Sequence, residues 1–449
     1  MAQIYTSSPH DVTIEHVFVD SERLPKTYDI VRNVAEINLF ENIDLPYIHG
    51  SILISDSSDI LTKIGFRGTE RITIRMRITG DERAKSVEKK FVVMNIGGVA
   101  PVNDTAEAMT LDIIEEFGYQ SRLVTVSKAY SGKPETIISK IMYDNLKKRV
   151  DVPQSFTGSN VRPLKVVVPS ITPIAAARWI KNRMINENGM PFFLYSTLNK
   201  ENLVLADLEY LLGQQPTNLA YPFSFGQAFT RYTTNLSIDQ QARVIEAYSM
   251  AKSENMYNMA RSGVLNSTYT YVNPTLTGSP HTEEVKVSMT DIIKMMVDKG
   301  ILERNQNSPI YDDKFMIDGK TIDEYNPSTM TQITPSNTYE DFANYYEAHD
   351  IQQQKLKAYS RALRYYLLKS PLDITMPGFY FLGRGENTTI GSKIRLNFLK
   401  NDPQIAEKAE DALDPKRSGD YLIYNMRHII RPENYTVSMT CVKLGEKRG

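Results

Sequence analysis

Alternation of apolar and polar residues at both ends of the chain constrains its fold more than any other feature. Val12-Thr13-Ile14-Glu15-His16-Val17-Phe18-Val19 begins with clear alternation, and Ala35-Glu36-Ile37-Asn38-Leu39-Phe40 follows it. Arg71-Ile72-Thr73-Ile74-Arg75-Met76-Arg77-Ile78 sets basic or hydroxyl residues between apolar ones. A period of two with one polar face is what a half-buried antiparallel sheet requires. Residues 47–54, 91–96 and 120–126 predict further strands, and short turns between them suggest a barrel or a sandwich. The same character returns from Leu372 onward, at 372–378, 379–382, 392–398 and 420–430 and in the strand that ends at Leu444.

The middle of the chain reads differently. Ile137, Ile138, Ile141, Met142 and Leu146 lie at helical spacing over 133–148, with Pro134 near the start. A second helix is predicted over 173–188, with Ile174, Ala177, Ile180 and Met184 on one stripe and Gly189 as its stop. Residues 191–196 and 203–206 suggest a hairpin. Residues 151–163 read as a loop, 235–262 as helix, 266–273 as strand and 339–369 as a strong helix. The stretch 303–338 reads as an irregular excursion holding a small hairpin, and 400–417 as a polar excursion with a short helical stretch. The order is β block, mixed helical middle, β block, an α+β chain.

Charge excludes one broad class. Lys plus Arg is 52 and Asp plus Glu is 53, a net of -1, which gives no support for a nucleic-acid coat. The 449 residues suggest two to four domains. Cys441 is the single cysteine, so no intramolecular disulfide forms, and its place in an alternating run predicts a packing residue. Residues 1–10 lack a basic region followed by an apolar stretch, and no apolar run approaches a membrane span, so synthesis in a cytoplasm is expected.

Motifs for chemistry are missing. His10, His16, His49, His281, His349 and His428 show no metal-ligand spacing. There is no Gly-x-Ser-x-Gly elbow and no phosphate-binding loop. Gly383-Arg384-Gly385 lacks a third glycine and reads as a turn. The pairs Glu115-Glu116, Glu283-Glu284 and Asp312-Asp313 read as solvated faces, because nothing in the sequence brings two of them into one cleft. No catalytic, metal or cofactor site is predicted. Trp179, on the second helix, is core or interface. The 26 tyrosines against 16 phenylalanines suit subunit interfaces or half-buried strands equally.

The last strands carry a resemblance. Met376-Pro377-Gly378, Ile394-Arg395-Leu396, Arg417-Ser418-Gly419-Asp420-Tyr421-Leu422-Ile423, His428 and Tyr435-Thr436-Val437-Ser438-Met439 are similar to the closing strands of baseplate central hub proteins of contractile-tailed, T-even-like bacteriophages. Leu45-Pro46-Tyr47-Ile48-His49-Gly50-Ser51-Ile52-Leu53-Ile54 resembles that family's opening barrel. Ser170-Ile171-Thr172-Pro173-Ile174-Ala175-Ala176-Ala177-Arg178-Trp179-Ile180, followed by Pro191-Phe192-Phe193-Leu194-Tyr195, resembles its inserted helical region. Residues 281–340 match nothing in it.

The resemblance implies two tube-like antiparallel β-barrel domains flanking a mixed helical middle region. The implied domains are a first barrel at 1–130, an inserted α/β domain at 131–235, a helical and irregular region at 236–338, and a helix plus second barrel at 339–449. It implies a homotrimer whose six barrels ring a polar channel through which DNA passes, joining a hexameric tail tube to a trimeric central spike. Partners would be the spike, tail tube and baseplate wedge proteins, without membrane or cofactor, in a virion tail assembled in the host cytoplasm. Gly50, Trp179, Gly378, Gly419, Tyr421, His428 and Tyr435 are the candidate fold and interface residues. The alternatives are another tail-tube-like or wedge component, a cell-wall-degrading enzyme needing two convergent carboxylates, and a nucleic-acid-binding module.

Overall fold

The computed structural model describes residues 8–445 except 58, 82, 104–105, 154–163, 226–236, 251–259, 262–264, 274–280, 303–313, 322–323, 326–328, 334–350, 369, 386–387 and 401–411. The fold is α+β and mostly antiparallel sheet. The N-terminal block contributes β1 (Val12–Asp20), β2 (Tyr28–Asp29), β3 (Val34–Asn42), β4 (His49–Asp56), β5 (Arg71–Ile78), β6 (Val87–Ile96), β7 (Ala100–Asn103) and β8 (Ala106–Glu115). Burial follows the period of two. In β5, Ile72, Ile74, Met76 and Ile78 are buried, while Arg71, Arg75 and Arg77 meet solvent. The strands pair in the order β3-β4-β8-β6-β5-β1-β2. β2 and β3 lie on one run of chain, broken by the 3-10 turn Val31–Asn33. The last strand in the order therefore leads along the chain into the first, and this chain-linked set of strands is termed the first circuit.

The middle unit differs from its sequence reading in two places. Residues 120–126 do not form a strand, because β8 passes directly into a helix, Glu116–Leu123, that buries Phe117, Gly118 and Ser121 on one side. The helix starting at Pro173 keeps its expected start, where the Thr172 side chain accepts from the Ala175 N–H. It ends at Lys181 rather than 188. The Asn186 side-chain oxygen accepts from the N–H groups of Asn188 and Met190 and folds a turn around Gly189 (φ +76°). Helix Pro134–Leu146 forms as expected and buries Ile137, Ile138, Ile141, Met142 and Leu146. β9 (Val126–Gly132) and β10 (Val150–Asp151) flank it, and β11 (Leu164–Ile171) pairs with β9. The expected hairpin is β12 (Phe192–Tyr195) with β13 (Leu203–Asp207). These elements enclose a core of their own, including Ile141, Val168, Ala177, Phe192 and Leu205.

A partly buried charge cluster ties this unit to the sheet. Asp44, after β3, pairs with Lys181 and lies 3.5 Å from the Arg364 guanidinium. Burial and the neighbouring Arg364 push the Lys181 ammonium down to about 8, against the pull of Asp44.

Beyond the middle unit come β14 (Phe223–Phe225), β15 (Val244–Ile245) and β16 (Ala247–Met250). Among the described residues, the helix expected over 235–262 is helical at Ile238–Gln241 and again at 260–261, with extended chain at 244–250. Residues 244–250 are extended because they pair within a second circuit, a long-range demand that outweighs local propensity. β17 (Asn266–Asn273), at the expected strand, β18 (His281–Ser288), β19 (Met316–Ile317), β20 (Lys320–Thr321) and β21 (Thr329–Ile333) follow, with β19 and β20 forming the small hairpin. Helix Ile351–Tyr366 occupies the described part of the expected 339–369 helix, and residues 339–350 lie outside the described residues. The short helix expected within 400–417 also falls largely outside them. No helix among the described residues is long and apolar enough to cross a membrane.

The C-terminal block supplies β22 (Leu372–Pro377), β23 (Lys393–Asn397), β24 (Gly419–Arg431) and β25 (Asn434–Val442). Pairing runs β15-β14-β23-β24-β25-β22-β16. Glu246 alone separates β15 from β16, and its N–H donates to the Thr375 carbonyl at 2.9 Å. This second circuit is likewise linked along the chain, through Glu246. β3 pairs with β24, so both circuits belong to one 15-stranded sheet over a shared core.

Candidate functional site: a polar sheet face over a buried junction

Where the two circuits join, the sheet has two chemically distinct faces. One row reads Asn95, Asp112, Ser51, Asn38, Ile429 and Thr436 across β6, β8, β4, β3, β24 and β25 in register. The next reads Phe40, Arg427, Ser438 and Thr375 across β3, β24, β25 and β22. A third joins Asn425, Thr440, Asp373 and Ser249. Hydroxyl, amide and charged groups dominate this face from the first circuit into the second.

Its polar groups are largely engaged with one another. Asn95 donates to Asp112 at 2.9 Å, Arg427 to the Asn38 side-chain oxygen at 3.0 Å, and Asn38 to Glu36 at 2.6 Å. Arg431 donates to Glu36 at 2.8 Å, and Thr440 to Asp373 at 2.7 Å. The Asn38 and Arg431 hydrogen bonds hold the Glu36 carboxyl below the usual range despite partial burial. The Arg427 guanidinium lies 5.6 Å from the Phe40 ring, which stacks on His49. A face whose charges are matched internally presents few free donors to a passing polyanion.

The opposite face is core, and four of the seven residues singled out in the sequence meet there. His428 on β24 and Tyr435 on β25 share a hydrogen bond of 2.7 Å between the ring Nδ1 and the phenol oxygen. The His428 Nε2 lies 3.5 Å from a Glu41 carboxylate oxygen on β3, and the other oxygen of Glu41 accepts from the Leu198 N–H. All three side chains are at most 2% exposed, so no substrate reaches them. Burial raises the Tyr435 phenol well above its ordinary value. Gly378 makes room for that ring, because a Cβ there would stand 2.2 Å from it. Gly50 lies beneath the same joint, where a Cβ would stand 2.1 Å from the Asn38 carbonyl of β3.

The other three lie apart. Tyr421 is buried in the second circuit and donates its hydroxyl to the Arg417 carbonyl at 2.6 Å. Gly419 has φ +132° and open space around it, so backbone freedom rather than packing selects glycine there. Trp179 is half-buried at the edge of the middle unit's core, with the Arg183 guanidinium 4.4 Å from its ring. Cys441 is fully buried against the second circuit, and burial pushes its thiol up.

The sequence reading missed Glu41, Asn38, Arg427 and Asp373. Alternation marked Asn38 as outward-facing, but its meeting with Arg427 depends on the β3–β24 pairing, which joins residues far apart in the chain. The polar face singled out in the sequence, on β5, lies elsewhere on the sheet. There Arg75 and Arg77 pair with Glu15 at 2.7 and 3.1 Å.

No protein-family model matches the sequence, and no curated protein matches it. Solved structures do. A tail protein from Neisseria meningitidis MC58 aligns with a TM-score of 0.52 and 11% identity over 95% of this chain and 96% of that one. The 43 kDa tail protein of prophage MuSo2 from Shewanella oneidensis aligns with a TM-score of 0.52 and 9% identity over 95% of this chain and 98% of that one. The resemblance read in the sequence is matched at the level of the fold: this chain has the fold of phage tail proteins.

Proposed function

We propose that the chain is a structural component of a phage tail baseplate, and that three copies form a pseudo-six-fold hub ring between a hexameric tail tube and a trimeric central spike. One observation carries this reading. Each chain holds two strand circuits joined edge to edge by β3 and β24, with one polar face running across the joint. We read each circuit as a tube-like barrel, the first and last blocks as the two tube-like domains, and the elements between them as the inserted part. Three such chains place six barrels in a ring, and head-to-tail contacts close the ring. The polar face then lines the channel, and the paired state of Arg427 and Arg431 lets DNA pass without being held. Spike, tail tube and wedge proteins are the partners on this reading, and the chain carries no catalysis of its own.

The test is native mass spectrometry and negative-stain microscopy of the purified chain, alone and with its candidate spike protein. The expected result is a trimer with a central hole. A chain that stays monomeric in the presence of the spike overturns the hub assignment and favours a peripheral tail component.

A further inference from the structure

A cleft of ≈ 870 Å³ opens where the N-terminal circuit, the middle unit and the loop after β22 meet, away from the polar face. Most of the acids on its wall are already engaged. Glu116 pairs with Arg71 at 3.0 Å, and Glu88 lies 3.9 Å from Arg75. Glu115 accepts from the Ile48 N–H at 2.8 Å and lies 3.5 Å from the Lys89 ammonium. Among the cations, Arg384 is bound to Asp81 at 2.6 Å. Lys85, Lys90 and Lys148 have no carboxylate within ion-pair distance among the described residues. Among the described residues, Glu201 is the remaining acid on that wall, against these three lysines and the exposed Arg83.

Lys148 is the most telling of these. It is half-buried at the end of helix Pro134–Leu146, with its ammonium 4.8 Å from the Phe117 ring. Burial and the nearby Lys89 push it below the ordinary lysine value, while Glu115 and Glu201 pull the other way. A half-buried cation without a close counter-ion is stabilised by an anion that enters the cleft.

We propose that this cleft docks an acidic, extended peptide segment of a partner protein. The unpaired cations stand on two chain segments, 83–90 and the end of helix Pro134–Leu146, around a large open cleft, which suits carboxylates spaced along a peptide better than one compact phosphate. Most are lysines, point charges on flexible stems that adapt to such spacing. The Phe117 ring adds an apolar wall for the peptide's methylenes. The proposal stands independently of the hub reading, since docking is measured on the isolated chain.

Fluorescence anisotropy of labelled hexaglutamate with the full chain at low ionic strength tests it. The Lys85→Gln/Lys90→Gln/Lys148→Gln variant is expected to bind about tenfold more weakly. A Lys26→Gln/Lys128→Gln control, at exposed lysines outside the cleft, is expected to bind as the parent does. If the triple variant is unstable, Lys85→Gln/Lys90→Gln changes only exposed side chains and is still expected to lose about threefold. Unchanged binding by the folded cleft variants overturns the proposal. So does displacement of the peptide by pyrophosphate or duplex DNA at lower concentration than by unlabelled hexaglutamate, which assigns the cleft to phosphates instead.

Discussion

His428 and Tyr435 meet on the core side of the β24–β25 hairpin, with the imidazole Nδ1 and the phenol oxygen 2.7 Å apart and both side chains wholly shielded from water. The residues are diagonal neighbours, since His428 pairs with Val437 and Tyr435 with Ile430. With the phenol donating to Nδ1, the neutral ring carries its proton on Nε2, which lies 3.5 Å from a Glu41 oxygen but makes no hydrogen bond to it.

Tyr435→Phe keeps the ring and removes the donor, leaving the buried Nδ1 of His428 without a partner. Equilibrium urea unfolding is expected to show a loss of about 1–3 kcal/mol. Gly378→Ala is expected to cost a similar amount by overpacking, because its methyl group meets the same ring. Parent-like midpoints for both variants would contradict the packing described at this junction.

Gly50→Ala tests the joint from the other strand. The added carbon would stand 2.1 Å from the Asn38 carbonyl, a backbone atom that cannot rotate away, so β3 and β4 must separate. A loss of about 3 kcal/mol or more is expected from the same unfolding measurement. Gly419→Ala acts by strain alone at φ +132° and is expected to cost less.

His10 couples the N-terminal segment to the second circuit and makes that contact pH-dependent. Its Nε2 lies 2.9 Å from the Glu246 carboxylate, and its carbonyl accepts from the Tyr435 N–H at 2.8 Å. The Glu246 hydrogen bond raises the imidazole above its ordinary value against the effect of burial. A raised folded-state value means that this stabilisation is complete below the unfolded value of about 6.5 and is lost as pH rises through the folded value. The contact is partly exposed, so its contribution is under about 1 kcal/mol. Urea midpoints compared at about pH 5.5 and 8.5 are expected to shift less in Glu246→Gln than in the parent. An equal shift in both would remove Glu246 as the cause.

Much of the architecture was legible because period-two alternation is a local signal. β1, β3, β5, β23 and β25 were readable from it, β4, β22 and β24 as extended runs, helix Pro134–Leu146 from its helical spacing, and the β12–β13 hairpin from two short runs across a turn. Local signal failed at two kinds of place. Residues 116–123 carry a short helical spacing masked by neighbouring strand-like residues. Residues 244–250 look unexceptional until β14 and β22 supply partners on both sides. The candidate junction was half legible, with Gly50, Gly378, His428 and Tyr435 marked in the sequence and Glu41 unmarked.

The sequence by itself determined which residues face a core and which face water, because side-chain direction along a strand repeats every two residues whatever the partner strand. It also determined the near-neutral charge and the β, mixed, β order of the chain. Tertiary structure alone decided that β3 lies beside β24, that the strands at the two ends of each pairing order are consecutive along the chain, and that Glu41 meets His428. Those contacts join residues hundreds of positions apart, and only the shared core and the backbone ladder of the folded sheet select them.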